Sequence, residues 1–272
     1  MPQFFAIYGK GGIGKSTIAS HISITLQTKG YRVLQIGCDP KHDSTFPLTG
    51  KLIPTVVEVL SKYNFHFEKI TSEEIIFKGY KRVCAVELGG PPAGVGCGGY
   101  VIGEGIRLLS NLDIWNDFDI IIFDVLGDVV CGGFSVPLQY AQYVAIIATD
   151  DFDSIYAANR IATAVKEKSK VYPTSLIGII GNKCTSSKIL EKFCKDINTD
   201  LISIIGCFEE INLARIRGKT IFELHKEIPT NTYQSISKIF EEIADFFLTF
   251  KEVKETAPLS EQEIFTIYRE KL

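Results

Sequence analysis

Short runs apolar at nearly every position alternate along this chain with longer stretches whose apolar residues recur every three or four positions. The runs at residues 4–8, 32–37, 82–87, 119–124, 143–149 and 175–181 are rich in Ile, Val and Phe and predict strands. Several lack the polar alternation of a half-solvated strand, which is the signature of a parallel sheet covered on both faces. Between them, residues 16–29, 103–110, 154–171 and 187–197 carry helical spacing. The order predicts an α/β fold, a doubly wound and mostly parallel sheet flanked by helices. Ligands in such sheets sit beyond the carboxyl ends of the strands, so the loops there carry the chemistry. Residues 234–250 predict a last amphipathic helix, and 251–272 read as a charged tail after one domain spanning 1–250.

Charge narrows the function classes. The 272 residues hold 29 Lys+Arg against 32 Asp+Glu, a net charge of -3. With no basic tail or patch, nothing favours nucleic acid as a partner. The uncharged stretch 129–149 is interrupted by Gly132, Gly133, Ser135, Pro137, Gln139 and Gln142, so it is not the apolar run of ~20 residues that membrane insertion needs. Glu241, Glu242 and Asp245 on the last helix suit packing on the sheet rather than anionic lipid. Seven cysteines, an odd number without a CxxC pair, read as reduced thiols or metal ligands in a cytosol-like compartment. The opening MPQFFAIYGKGG has none of the regions of a secretory leader.

Residues 9–16, Gly-Lys-Gly-Gly-Ile-Gly-Lys-Ser, fit G-x-x-x-x-G-K-[ST] between a predicted strand and a predicted helix. Glycines there let the backbone curl so that its N–H groups face phosphate oxygens, and the helix adds its positive end. The expected ATP contacts are Lys10, Gly11, Gly12, Ile13, Gly14, Lys15, Ser16 and Thr17. Lys15 would bridge the β- and γ-phosphates, and the Ser16 hydroxyl would ligate Mg²⁺. Asp124, closing the run Ile120-Ile121-Ile122-Phe123, fits the Walker B acid that holds Mg²⁺ through water. Asp39 and Asp43 follow the second strand, placed to orient a water or to sense loss of the γ-phosphate. A lysine as early in the loop as Lys10 marks the deviant Walker A class, whose members resemble one another in forming ATP-sandwich dimers. In them that lysine reaches the nucleotide of the opposite subunit.

Cys97 and Cys131 each stand among glycines, in Gly96-Cys97-Gly98-Gly99 and Val130-Cys131-Gly132-Gly133. Two thiolates are too few for a cubane cluster, which takes four. A symmetric homodimer would present four at its axis, and the glycines would let backbone N–H groups approach the cluster sulfides. Two buried structural cysteines are the alternative. Cys131 stands seven residues beyond Asp124, at most ~25 Å of extended chain, so a phosphate change felt at Asp124 or Asp128 has a short path to a thiol.

The segments YGKGGIGKS, GCDPKHDSTF, GGPPAGVGCGGY and FDVLGDVVCGGF resemble the nitrogenase iron-protein superfamily. Within it they look like the L-subunit family of light-independent (dark-operative) protochlorophyllide reductase. The likeness runs from Gln3 to about Arg217 and more loosely beyond. It implies a homodimer holding one [4Fe–4S] cluster on Cys97 and Cys131, with MgATP on the loop 10–17. It also implies ferredoxin as electron donor and a separate N/B-type catalytic complex as acceptor, reducing protochlorophyllide in chlorophyll biosynthesis. Lys41, Asp39, Asp124 and Asp128 match switch positions, with Lys10, Asp39 and Asp128 as the catalytic candidates. Asn182, followed by Lys183, matches an asparagine that contacts adenine. Against the nitrogenase pattern, His42 stands in place of Ala, and Cys97-Gly98-Gly99-Tyr100 in place of Cys-Ala-Gly-Arg. Pro91-Pro92-Ala93 also follows the protochlorophyllide version. The expected compartment is cytoplasm, or plastid stroma for a plastid-encoded chain.

Reductase components acting on nitrogenase, chlorophyllide or nickel tetrapyrroles are neighbouring alternatives. A ParA/MinD-like positioning ATPase would use the same loop but leave Cys97 and Cys131 idle, and a cluster carrier would be expected to show a CxxC pair. Cys38, at a strand end beside Asp39, reads as a packed thiol rather than a third ligand and Cys84 as strand core, while Cys184, Cys194 and Cys207 match no common metal spacing. His21, His66 and His225 show no triad partner, while His42 matters through its place between Asp39 and Ser44.

Overall fold

The computed structural model describes residues 2–91, 98–127 and 135–268. Among them one sheet has eight strands: β1 (Gln3–Tyr8), β2 (Val33–Cys38), β3 (Phe77–Lys78), β4 (Cys84–Glu87), β5 (Ile120–Val125), β6 (Tyr143–Ala148), β7 (Ser175–Asn182) and β8 (Leu201–Ile205). Their order is β3-β4-β2-β5-β1-β6-β7-β8, with only β3 antiparallel to its neighbour. The helices are α1 (Lys15–Thr28), α2 (Phe46–Thr49), α3 (Val56–Lys62), α4 (Ser72–Ile75), α5 (Gly98–Asn111), α6 (Phe152–Lys168), α7 (Lys188–Asp196), α8 (Glu209–Ile216), α9 (Thr230–Thr249) and α10 (Glu261–Tyr268). The expected doubly wound α/β architecture is what forms.

The unalternating apolar runs have the cause that sequence suggests. Along β1, Phe5 and Ile7 join the core beneath α1 and α9, while Ala6 and Tyr8 join the core on the opposite face. Every residue of β2 and β5 is buried. β5 and β6 flank β1, so the first loop opens at the reversal of strand order, where the sheet leaves a crevice.

Three differences from the sequence reading stand out. Residues 201–205 form the edge strand β8, four of whose five positions are only half-buried, so the apolar run is short and weakly marked. Residues 98–111 are helical from Gly98, five residues earlier than expected, although glycines are poor helix formers. The stretch read as a charged tail folds back and carries α10, with Ile264 and Tyr268 buried. Asn159 holds it by accepting from the Leu259 N–H at 2.9 Å and donating to the Leu259 carbonyl at 2.7 Å. The Tyr268 hydroxyl bonds Asp196 at 2.6 Å. Among the described residues no helix is long and apolar enough to cross a membrane.

Candidate functional site

At the carboxyl end of the sheet a cavity of about 390 Å³ gathers the phosphate loop, Asp39, Lys41, Asp43, Asp124, Asn182, Lys183 and Arg215. The loop leaves β1 and enters α1 through Gly14, whose φ of 101° only glycine adopts without strain. A Cβ on Gly11 or Gly12 would meet nothing within 4 Å, so these two face open space on the cavity side. α1 has no acidic residue in its first turn to neutralise its positive end. A phosphate chain fits this cradle by shape and by charge.

Lys15 is buried, and its ammonium donates to the Lys10 carbonyl at 3.1 Å. Burial pushes its pKa below the ordinary lysine value, and the carboxylates of Asp124 and Asp39 pull it back. Asp124 is buried at the end of β5, where burial raises its pKa against the Lys15 charge and bonds from the Ser16 and Ser44 hydroxyls. One oxygen, Oδ1, has no hydrogen-bond partner among the described residues. A buried carboxylate with an unused oxygen beside the Ser16 hydroxyl suits a hard divalent cation, so the residues present fit Mg²⁺.

Asp39 begins a tight turn: its Oδ1 accepts the Lys41 N–H at 3.0 Å, and the Lys41 ammonium lies 3.8 Å from Oδ2. Asp43 is held by Arg215, which carries no local sequence signal; Nη2 lies 2.8 Å from Oδ2 and 2.9 Å from the Asp43 carbonyl. Asn182 ends β7 and donates to the Ile13 carbonyl at 2.6 Å, so it braces the phosphate loop from within. Lys183 follows with a left-handed φ of 56°. Lys10 does not fold into the cavity. Its exposed ammonium pairs with Asp153 at 3.2 Å and Asp151 at 3.9 Å, at the start of α6.

Cys97, Cys131 and Asp128 lie outside the described residues. The strands that precede them in the chain are described: β4 and β5 flank β2 in parallel and end on the same side of the sheet. Of the remaining cysteines, Cys38, Cys184 and Cys194 are buried core thiols, Cys84 is half-buried in β4, and Cys207 is exposed at the rim of the cavity. Beyond Arg215, sequence reasoning also passed over Glu87, whose only signal was a lone charge closing an apolar strand.

The family model described as "4Fe-4S iron sulfur cluster binding proteins, NifH/frxC family" matches residues 3–271. The chain belongs to the NifH/frxC family. Family members are ATP-dependent reductase-type proteins that bind a 4Fe–4S cluster and MgATP, act as homodimers and work with catalytic partner subunits. Among solved structures, the MinD cell division protein of Aquifex aeolicus aligns at 18% identity and a TM-score of 0.67, over 93% of this chain and 100% of its own. A ParA family ATPase from Chlorobium tepidum aligns at 18% and 0.68, over 92% and 99%. McdA of Cyanothece, in a complex of a variant with ATP, aligns at 17% and 0.64, over 93% and 98%. At these identities the likeness establishes the P-loop NTPase fold and nothing finer.

Proposed function

We propose that this chain is the ATP-gated electron-transfer component of light-independent protochlorophyllide reductase. It would work as a homodimer with one [4Fe–4S] cluster held by Cys97 and Cys131 of each copy. It would take electrons from a ferredoxin and deliver them to N/B-type catalytic subunits. The observation that carries this reading is a match to cluster-binding proteins over residues 3–271, in a chain whose two Gly-flanked cysteines follow β4 and β5 at the phosphate end of the sheet. The choice within the family rests on His42, on Tyr100 after Cys97-Gly98-Gly99 and on Pro91-Pro92-Ala93.

A bound cluster would supply one-electron storage, and MgATP the driving reaction. The amides of Gly11–Ser16 and the Lys15 ammonium hold the phosphates. Ser16 and Asp124 would hold Mg²⁺, the latter through water. Asp39 orients the attacking water, and Asp43 reads the γ-phosphate once it leaves Arg215. Lys10 exchanges Asp151 and Asp153 for a phosphate of the facing copy. Asp124 moves with the β5 exit, and Asp128 carries that movement toward Cys131. On this view the chain itself has no tetrapyrrole site.

The test is anaerobic purification followed by iron analysis and reconstitution with N/B-type subunits, reductant and protochlorophyllide. About four irons per dimer and MgATP-dependent chlorophyllide formation are expected. A colourless protein that still binds MgATP would sink the cluster assignment. Cluster-loaded protein that reduces a different partner complex would move it to a sister reductase.

A further inference from the structure

Glu87 closes β4 with its side chain fully buried, and the mechanism above does not use it. Its Oε1 accepts both the Thr45 N–H at 2.6 Å and the Thr45 hydroxyl at 2.7 Å. Thr45 ends the loop that carries Asp39, Lys41 and Asp43. The carboxyl reaches it across Gly37, the β2 residue registered against Glu87 on one side and Asp124 on the other. A Cβ on Gly37 would lie 2.0 Å from Glu87 Oε2 and 2.8 Å from Ser44 Cβ, so only glycine leaves that passage open.

A second contact lies three residues on. A Cβ at Gly90 would lie 2.5 Å from Pro40 Cβ, so the backbone after β4 rests on the turn beginning at Asp39. The Leu88 N–H donates to the Gly37 carbonyl at 2.9 Å and keeps this exit in register. The segment 87–90 therefore grips the loop 39–45 at both ends, seven residues before Cys97.

Glu87 Oε2 is buried with no hydrogen-bond partner among the described residues. Burial raises the carboxyl to about 7 against the pull of the two Thr45 bonds.

Resting on the nucleotide reading above, we infer that Glu87 is a positioning residue coupling the phosphate-sensing loop to the chain leading toward Cys97. It ties the exit of β4, residues 87–90, to the loop that faces the nucleotide. The coupling is carried by contiguous contacts rather than by distance alone. Glu87→Gln keeps an oxygen for Thr45, Glu87→Ala removes it, and Thr45→Val removes only the hydroxyl donor.

The experiment is hydrogen exchange on the full-length protein, read at residues 40–50, 86–91 and 120–127 with and without MgATP. Without nucleotide, Glu87→Ala should speed exchange in 40–50 and 86–91 together by about tenfold. Thr45→Val should do so more weakly, and Glu87→Gln should match the wild type. With MgATP, Glu87→Ala should keep the response at 120–127 but lose it at 86–91. A wild-type response at 86–91 in Glu87→Ala overturns the inference, as does Glu87→Gln behaving like Glu87→Ala. If Glu87→Ala does not fold, Thr45→Val against Glu87→Gln makes the same comparison. A wild-type protein blind to MgATP would overturn the nucleotide reading instead, and the nucleotide-free comparison would still decide the Thr45 tether.

Discussion

Gly127 lies directly on Gly11. A Cβ built on Gly127 would sit 2.5 Å from the Gly11 nitrogen and 2.9 Å from the Gly9 carbonyl oxygen. The backbone leaving β5 and the backbone of the phosphate loop thus touch with no side chain between them. Any rearrangement of the loop around phosphate must be met by the segment that continues to Cys131.

Substituting that contact gives the first prediction. Gly127→Ala forces a methyl group into backbone that cannot yield, at ~1–3 kcal/mol for overpacking. MgATP affinity should fall on the order of tenfold. Gly103→Ala is the matched control, because a Cβ there meets nothing within 4 Å and lies inside α5. It should be neutral or stabilising by ~0.5–1 kcal/mol. Equal nucleotide affinity in the two variants, measured by equilibrium dialysis, would contradict the contact's role.

Lys15 and Lys10 should separate binding from coupling. Lys15 is buried among Asp124, Asp39 and the loop carbonyls, so Lys15→Ala should abolish measurable MgATP binding and free Asp124 of its partner charge. Lys10 is half-exposed and, among the described residues, pairs with Asp151 and Asp153. Lys10→Ala should bind MgATP within a few-fold of wild type, keep its iron, and lose MgATP-driven electron transfer. Loss of iron from Lys10→Ala would break this division of labour.

Two buried groups give stability opposite dependences on acid. The His21 Nδ1–H donates to the Thr17 carbonyl at 2.7 Å, and Nε2 accepts the Ile221 N–H at 3.2 Å. Burial against Phe240 and Phe222 lowers its pKa from 6.5 to about 4. Below pH 6.5 the unfolded chain gains a proton the native state refuses, so this contribution is lost as pH falls toward 4, up to about 3 kcal/mol. Glu87 runs the other way, raised from 4.5 to about 7, so its contribution is full below pH 4.5 and is lost as pH rises through 7. Glu87→Gln should therefore expose a steeper acid loss, and His21→Phe, though less stable overall, a stability that rises toward acid. Urea unfolding between pH 4.5 and 7.5 reads both, and curves parallel to wild type would refute the assignment.

The parts of this architecture visible in the sequence are those whose signal is local. β2 and β5 announce themselves because both faces are buried. The phosphate loop announces itself because its geometry demands glycine at fixed spacing. β8 is hidden because an edge strand needs one good face only, and α8 because Glu209 and Glu210 in its first turn make it look like loop. The tethers at Thr45 and Asp43 are out of reach for another reason. Glu87 and Thr45 are 42 residues apart and meet through the register of β2 with β4, while Arg215 and Asp43 are 172 apart and meet only where α8 packs against the loop after β2.

The cysteines provide the last prediction, because their environments differ in kind. Burial pushes the Cys184 and Cys194 thiols up to about 12, and burial beside Asp124 and Glu87 also holds the Cys38 thiol well above its ordinary value. Thiols held protonated in apolar surroundings are poor metal ligands, since a ligand must be a thiolate. Cys97 and Cys131 stand instead among glycines, after strands that end at the phosphate side of the sheet. Cys97→Ser and Cys131→Ser, purified without oxygen, should each lose the cluster, bringing iron from about four per dimer to near zero while MgATP binding persists. Cys184→Ser and Cys194→Ala should keep full iron, with at most the ~1–3 kcal/mol stability cost of a disturbed core site. Retained iron in Cys131→Ser, or its loss in Cys194→Ala, would place the cluster on a different set of thiols.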